Sequence, residues 1–209
     1  MYYSVGATEG KSEISVKHSK FLAFCSRVCD EEEAELFVKT IKKRFSDATH
    51  APYAYLLGVR ADKSRASDDG EPSGTSGIPI LESIKSAGVT NTAVVVVRYF
   101  GGIKLGTGGL TRAYGDAASE AIRASGKSTF EKCVLFEVFC EYPFLSMVQN
   151  QVYAFKGEIR SADYGDAVSV CVTIPSNYRQ EFLSALADAT SGKATAIARE
   201  EAYYEVKGC

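Results

Sequence analysis

Residues Ala93–Tyr114 read AVVVVRYFGGIKLGTGGLTRAY, and the other segments are placed by reference to them. Val94 to Val97 are four consecutive β-branched residues, a run too short for a buried helix, so they predict a strand covered on both faces. The strand continues into Arg98, Tyr99 and Phe100 and then meets five glycines within nine residues: Gly101, Gly102, Gly106, Gly108 and Gly109. Glycine at this density permits positive φ and close backbone approach, which predicts a folded loop presenting main-chain N–H groups. Leu110, Ala113, Tyr114, Ala117, Ala118, Ala121 and Ile122 then recur at the spacing of one buried helical face. First-turn amides have no intrahelical acceptor, so a strand, a glycine loop and a helix N-terminus in succession can receive an anion. Arg98, Lys104, Gly106, Thr107, Gly108, Gly109 and Arg112 are the candidate anion- or nucleic-acid-binding residues. The alternative reading gives the glycines no ligand: they let the chain turn tightly between two packed elements.

The chain has 209 residues, enough for one large domain or two small ones. Tyr2 to Lys20 is polar and carries no apolar segment of signal-peptide type, and no run approaches a membrane span, so a cytoplasmic protein without membrane contact is expected. Six cysteines, at 25, 29, 133, 140, 171 and 209, form no CxxC pair, and the two histidines, His18 and His50, lie far from most of them. That pattern predicts reduced, mostly buried thiols and no metal site, with Cys209 as an exposed exception. Residues 1 to 132 hold 18 Lys plus Arg against 16 Asp plus Glu, whereas residues 133 to 209 hold 6 against 10. The first segment is therefore the partner for a polyanion, if either is.

Upstream of the central strand, Ile14 to Val16 and Phe21 to Val28 predict a strand pair with a polar corner at Lys17 to Lys20. Asp30 supplies an N-cap with Glu33 as its capping-box partner. Ala34, Phe37, Val38, Ile41 and Phe45 form one face of the following helix. Its acidic start and basic end suit the helix dipole and read as a solvated face. Ala51 to Val59 predicts a strand, residues 60 to 77 a long loop, and Ile78 to Ala87 a short helix ended by Gly88. The second half of the loop, DDGEPSGTSG, gathers Asp68, Asp69, Glu71, Ser73 and Thr75, which with His50 make a candidate functional loop.

A second unit begins near Cys133. Val134 to Cys140 alternates as a strand, Pro143 to Phe155 is helical, and Ile159 to Tyr164 and Val168 to Ile174 form a hairpin about Gly165-Asp166, with Ala167 starting its second strand. Ser176 caps a helix ended by Gly192, and Thr195 to Val206 is a last strand. The order β-α-β-β-α-β is the split pattern of a ferredoxin-like sandwich. The expected class is α+β, with domains at 1–130 and 133–209.

HSKFLAF at 18 to 24, DDGEPSGTSGIPIL at 68 to 81 and VVVVRYFGGIKLGTGGLTRAY at 94 to 114 resemble the IMPACT family, and the likeness extends over essentially the whole chain. The resemblance implies an N-terminal two-layer α/β domain similar to the second domain of a small-subunit ribosomal protein. It also implies a C-terminal domain similar to one from elongation factor G, in agreement with the ferredoxin-like pattern. Eukaryotic members act in translational control through protein partners, so the resemblance implies a non-catalytic translation-linked regulator that binds RNA, the ribosome or a translation-control protein, with no cofactor. Members often carry a cysteine two residues after the histidine matching His50; this chain has Pro52 there, which removes a Cys/His nucleophile pair.

Two other functions stay open on the residues. Acids, hydroxyls and His50 beside a glycine cradle are parts for phosphoryl transfer, although no P-loop or nucleophile elbow is present. A purely protein-binding scaffold needs neither anion nor RNA. Tyr53, Tyr55, Arg98, Tyr99 and Phe100, where they face outward, would stack bases. In a structural role, Asp68 and Asp69 accept loop amides and the hydroxyls cap the next helix.

Overall fold

The computed structural model describes residues 1–206; the expectation for Cys209 lies outside them. The chain divides into two compact units, one of residues 2–129 and one of residues 130–209 together with Met1.

In the N-terminal unit, β1 (Tyr2–Val5) precedes the hairpin of β2 (Gly10–Val16) and β3 (Ser19–Arg27). Val16 pairs with Ser19, so the corner is only Lys17-His18, both at positive φ (44° and 66°). That is the geometry of a two-residue hairpin turn matched to strand twist. Helix α1 (Glu31–Arg44) starts as its capping box predicts, with the Glu33 amide donating to Asp30 Oδ1 at 2.8 Å. The Glu33 carboxylate returns to the Cys29 amide at 2.7 Å, one residue earlier than the usual partner.

Strands β4 (Tyr53–Leu57), β5 (Lys63–Ser67) and β6 (Thr92–Tyr99) complete an antiparallel sheet in the order β2-β3-β6-β4-β5, with α2 (Gly77–Ser86) and α3 (Gly106–Ser125) after β5 and β6. Strand β6 is the middle strand. Val94 and Val96 pack with Ile80 and Ile84 of α2 and Ala113, Tyr114 and Ala117 of α3, whereas Val95 and Val97 pack with Val38 and Ile41 of α1. Each buried valine contributes roughly 1.5–3 kcal/mol. Helices thus cover both faces of this sheet, where two layers were expected, because β6 is apolar on both sides.

Lys63–Ser67, expected to be loop, is an edge strand. Among the described residues it pairs only with β4, and its mostly exposed KSRAS sequence carries no apolar face to betray it.

The C-terminal unit comprises β7 (Lys127–Cys140), a 3-10 turn at Tyr142–Phe144, α4 (Leu145–Ala154), β8 (Glu158–Tyr164), β9 (Val168–Pro175), a second turn at Ser176–Tyr178, α5 (Arg179–Thr190) and β10 (Thr195–Val206). Strand β7 begins in the N-terminal unit. Strand β7 pairs with β1, β9 and β10, and β9 pairs with β8; Val134, Phe136 and Val138 pack with Val148 of α4 and Phe182 and Leu186 of α5 in one core. Tyr164 pairs with Val168, so Ala167 belongs to the turn and not to the strand. Ser176 opens the 3-10 turn and does not cap α5 directly.

Among the described cysteines Cys25, Cys133 and Cys140 are buried and Cys29 is exposed. Burial pushes the Cys25 thiol up to about 12 and, with Glu131 nearby, Cys133 up to about 11, so both stay protonated and inert.

Candidate functional site

Along β6 the side chain of Arg98 follows Val94 and Val96 towards α2 and α3, so a cation enters the core where the strand runs out. Arg98 is 6% exposed and lies over the Phe21 ring. Its Nη1 donates to Glu71 Oε1 at 2.6 Å, and the same oxygen accepts from the Tyr114 hydroxyl at 2.7 Å. Burial, and next the bond to Glu71, raise the Tyr114 phenol well above its ordinary pKa, so it donates at every accessible pH. Nη2 reaches the Ser19 hydroxyl at 3.5 Å, the limit of a hydrogen bond, and Nε, also buried, has no partner among the described residues.

This ion pair fastens the 68–77 segment to β6 and α3, and the acids there are committed to the fold. Asp68 Oδ1 accepts from the amides of Ser76 and Gly77 and from the Ser76 hydroxyl, and Oδ2 from the Gly74 amide. Burial alone would raise its pKa; these donors outweigh it and hold the carboxyl below the usual range. Asp68 therefore caps α2 from a distance, and the Ser76 hydroxyl serves that carboxylate instead of capping the helix itself. Asp69, at φ 45°, binds Lys42 Nζ at 2.5 Å and the Ala51 amide at 2.9 Å, and its carbonyl lies 2.9 Å from His50 Nδ1. The Thr75 hydroxyl donates to the Pro72 carbonyl, and Ser73 is exposed. No group of three or more His, Cys, Asp or Glu side chains suited to a metal occurs among the described residues.

The glycines divide by role. A Cβ on Gly101 would stand 2.0 Å from the His18 carbonyl carbon, and the Gly101 amide donates to Ser19 Oγ at 3.2 Å; this glycine lets the loop lie on the β2–β3 turn. Gly106 opens α3 at φ 73°, while Gly108 faces open space at an ordinary φ. The amides of Gly106, Thr107, Gly108 and Gly109 have no acceptor outside the helix among the described residues.

Two recesses flank the head of α3. One, of about 440 Å³, is lined by Thr49, His50, Pro72, Arg98, Phe100, Lys104, Leu105, Gly106, Thr107 and Leu110. It brings the acidic segment's Pro72 and the anchored Arg98 against the glycine loop. The other, of about 320 Å³, is lined by Val16, Lys17, Leu105, Gly108, Gly109, Arg112, Ala113 and Asp116. The seven anion-site candidates are thus shared between neighbouring recesses with Leu105 in both walls, and Arg112 is not beside Lys104 in the first. Of the second candidate set, only His50 lines either recess.

The aromatic platform on the sheet does not form as the sequence suggested. Tyr55 is buried, Tyr53 packs beside it under α1, and Tyr99 packs in the same layer with its hydroxyl on Asp47. Phe100, 49% exposed and 5.4 Å from the Arg98 guanidinium, is the aromatic that remains open. Sequence reasoning missed Lys17, Leu105 and the Ser19 and Tyr114 contacts; the tight Lys17-His18 turn was the signal that would have placed Lys17 near the glycine loop.

Residues 17–122 match the model of the Impact N-terminal domain, and residues 138–193 match a domain of unknown function, DUF1949. The chain is similar to IMPACT family member YvyE of Bacillus subtilis, 35% identical over 94% of this chain and 90% of the relative. It is likewise similar to IMPACT family member YigZ of Escherichia coli, 35% identical over 89% and 92%. A crystal structure described as that of an hypothetical protein aligns with a TM-score of 0.61 at 32% identity, covering 96% of this chain and 98% of the other.

Proposed function

Because the chain belongs to the IMPACT family, we propose that it is a cytoplasmic, non-catalytic translation-linked regulator whose N-terminal domain binds RNA, free or on the ribosome, through its phosphates. One observation carries this reading: an open recess at the head of α3 has Lys104, without an ion-pair partner among the described residues, and the under-satisfied Arg98 guanidinium in its wall. Helix N-terminal amides and fixed cations together favour phosphate oxygens. The carboxylates that a phosphoryl-transfer enzyme would need for metal are instead bonded to backbone amides, Lys42, Arg98 and Tyr114, so binding is favoured over catalysis. The strand order of the C-terminal unit supports its reading as a ferredoxin-like module similar to a domain of elongation factor G. Its acidic balance suits contact with protein more than with a phosphate backbone.

The test is RNA and ribosome binding over a range of salt. Lys104→Ala is expected to weaken binding and lower the slope of log K against log salt by about 0.7 for a single strand. Unchanged affinity and slope would remove the proposed receptor.

A further inference from the structure

We propose that the ligand of this site is single-stranded RNA, crossing the head of α3 with one phosphate in each recess and one unpaired base stacked on Phe100; this rests on the phosphate-binding reading above. Three observations lead there. Gly106 and Thr107 line the first recess and Gly108 and Gly109 the second, so the first turn of one helix borders two adjoining recesses with Leu105 in both walls. The second recess has its own exposed cations, Lys17 and Arg112, against the single carboxylate of Asp116. Neither cation forms an ion pair among the described residues. Arg98, more than nine-tenths buried with Nε unpartnered, stands in the wall of the first recess and supports the Phe100 ring.

The apolar wall decides between strand and duplex. Phosphates alone need no exposed ring, yet Pro72, Phe100 and Leu110 line the same recess as Lys104. In a duplex the bases are stacked inside and only the backbone would meet those side chains, leaving the ring without a partner. An unpaired nucleotide offers both parts, an anion for the amides and cations and a π-face for Phe100. The second recess then takes the neighbouring phosphate, which a mononucleotide lacks.

The experiment compares a short oligouridylate, an RNA duplex of equal length and uridine monophosphate, each titrated into the full chain and into Lys104→Ala, Phe100→Ala and Arg112→Ala. All three replaced side chains are exposed, and unchanged melting would show that each variant folds. Expected are at least tenfold tighter binding of the oligouridylate than of the duplex, and about tenfold loss for oligouridylate with Phe100→Ala. Arg112→Ala is expected to weaken the oligouridylate severalfold and leave the monophosphate unchanged. Duplex binding as tight as single strand would overturn the proposal, as would oligouridylate binding indifferent to Arg112→Ala, and in either case a surviving Lys104 effect would leave the phosphate receptor standing. No binding of any probe would remove both.

Discussion

Glu71 Oε1 lies 2.6 Å from Arg98 Nη1 in a setting where both side chains are more than nine-tenths buried. The pair joins residues 27 apart in sequence, and Tyr114, 43 residues beyond Glu71, completes it. The long polar segment is therefore anchored at its middle.

Glu71→Ala leaves the Arg98 charge buried without its counter-ion, and a loss of about 3–5 kcal/mol in unfolding free energy is expected from denaturant titration. Tyr114→Phe removes one donor from a carboxylate that keeps the other, and about 1 kcal/mol is expected. Equal costs for the two would show that the ion pair is not what holds the segment.

Asp68 contributes to the acid limb of stability. Its folded pKa is depressed, so its stabilisation is fully present above the unfolded carboxylate value near 4 and is lost as pH falls through the lower folded value. Asp68→Ala is expected to cost about 1–2 kcal/mol at neutral pH, as loss of a helix cap does. Below the folded pKa the charge-dependent part of that difference disappears. Thermal melts of both proteins from neutral to strongly acid pH would show it; a gap that widens on acidification would contradict the assignment.

Two glycine substitutions separate packing from binding. Gly101→Ala drives a methyl into the His18 carbonyl, and destabilisation of several kcal/mol is expected, on the order of other severe core and backbone clashes. Gly108→Ala meets open space in the first turn of α3, so stability should hold or rise by up to about 1 kcal/mol. RNA binding should nevertheless fall, because the methyl intrudes beside the amides. Unchanged binding by Gly108→Ala would mean that the ligand does not approach this turn.

The strand, the helix after it and its exposed glycine head were legible in Val94–Ile122 because period and composition both pointed one way. The β-α-β-β-α-β order of the second unit was legible for the same reason. Lys63–Ser67 was not, since an edge strand held only by β4 needs no apolar alternation. Asp68, Asp69 and Glu71 were visible as a cluster, but whether carboxylates stand free or are consumed depends on partners such as Tyr114 and Lys42 that only the tertiary fold supplies. The two recesses were similarly hidden: Lys104 and Arg112 are one helix head apart in sequence yet fall on different sides of Leu105.

Receipt of phosphate by the α3 amides is tested most directly by a nitrogen-proton correlation spectrum of the full chain titrated with oligouridylate. The amides of Gly106, Thr107, Gly108 and Gly109 are expected to shift together and saturably, with Lys104→Ala weakening the response. Saturable shifts confined to other residues, with those four amides unmoved, would contradict the account.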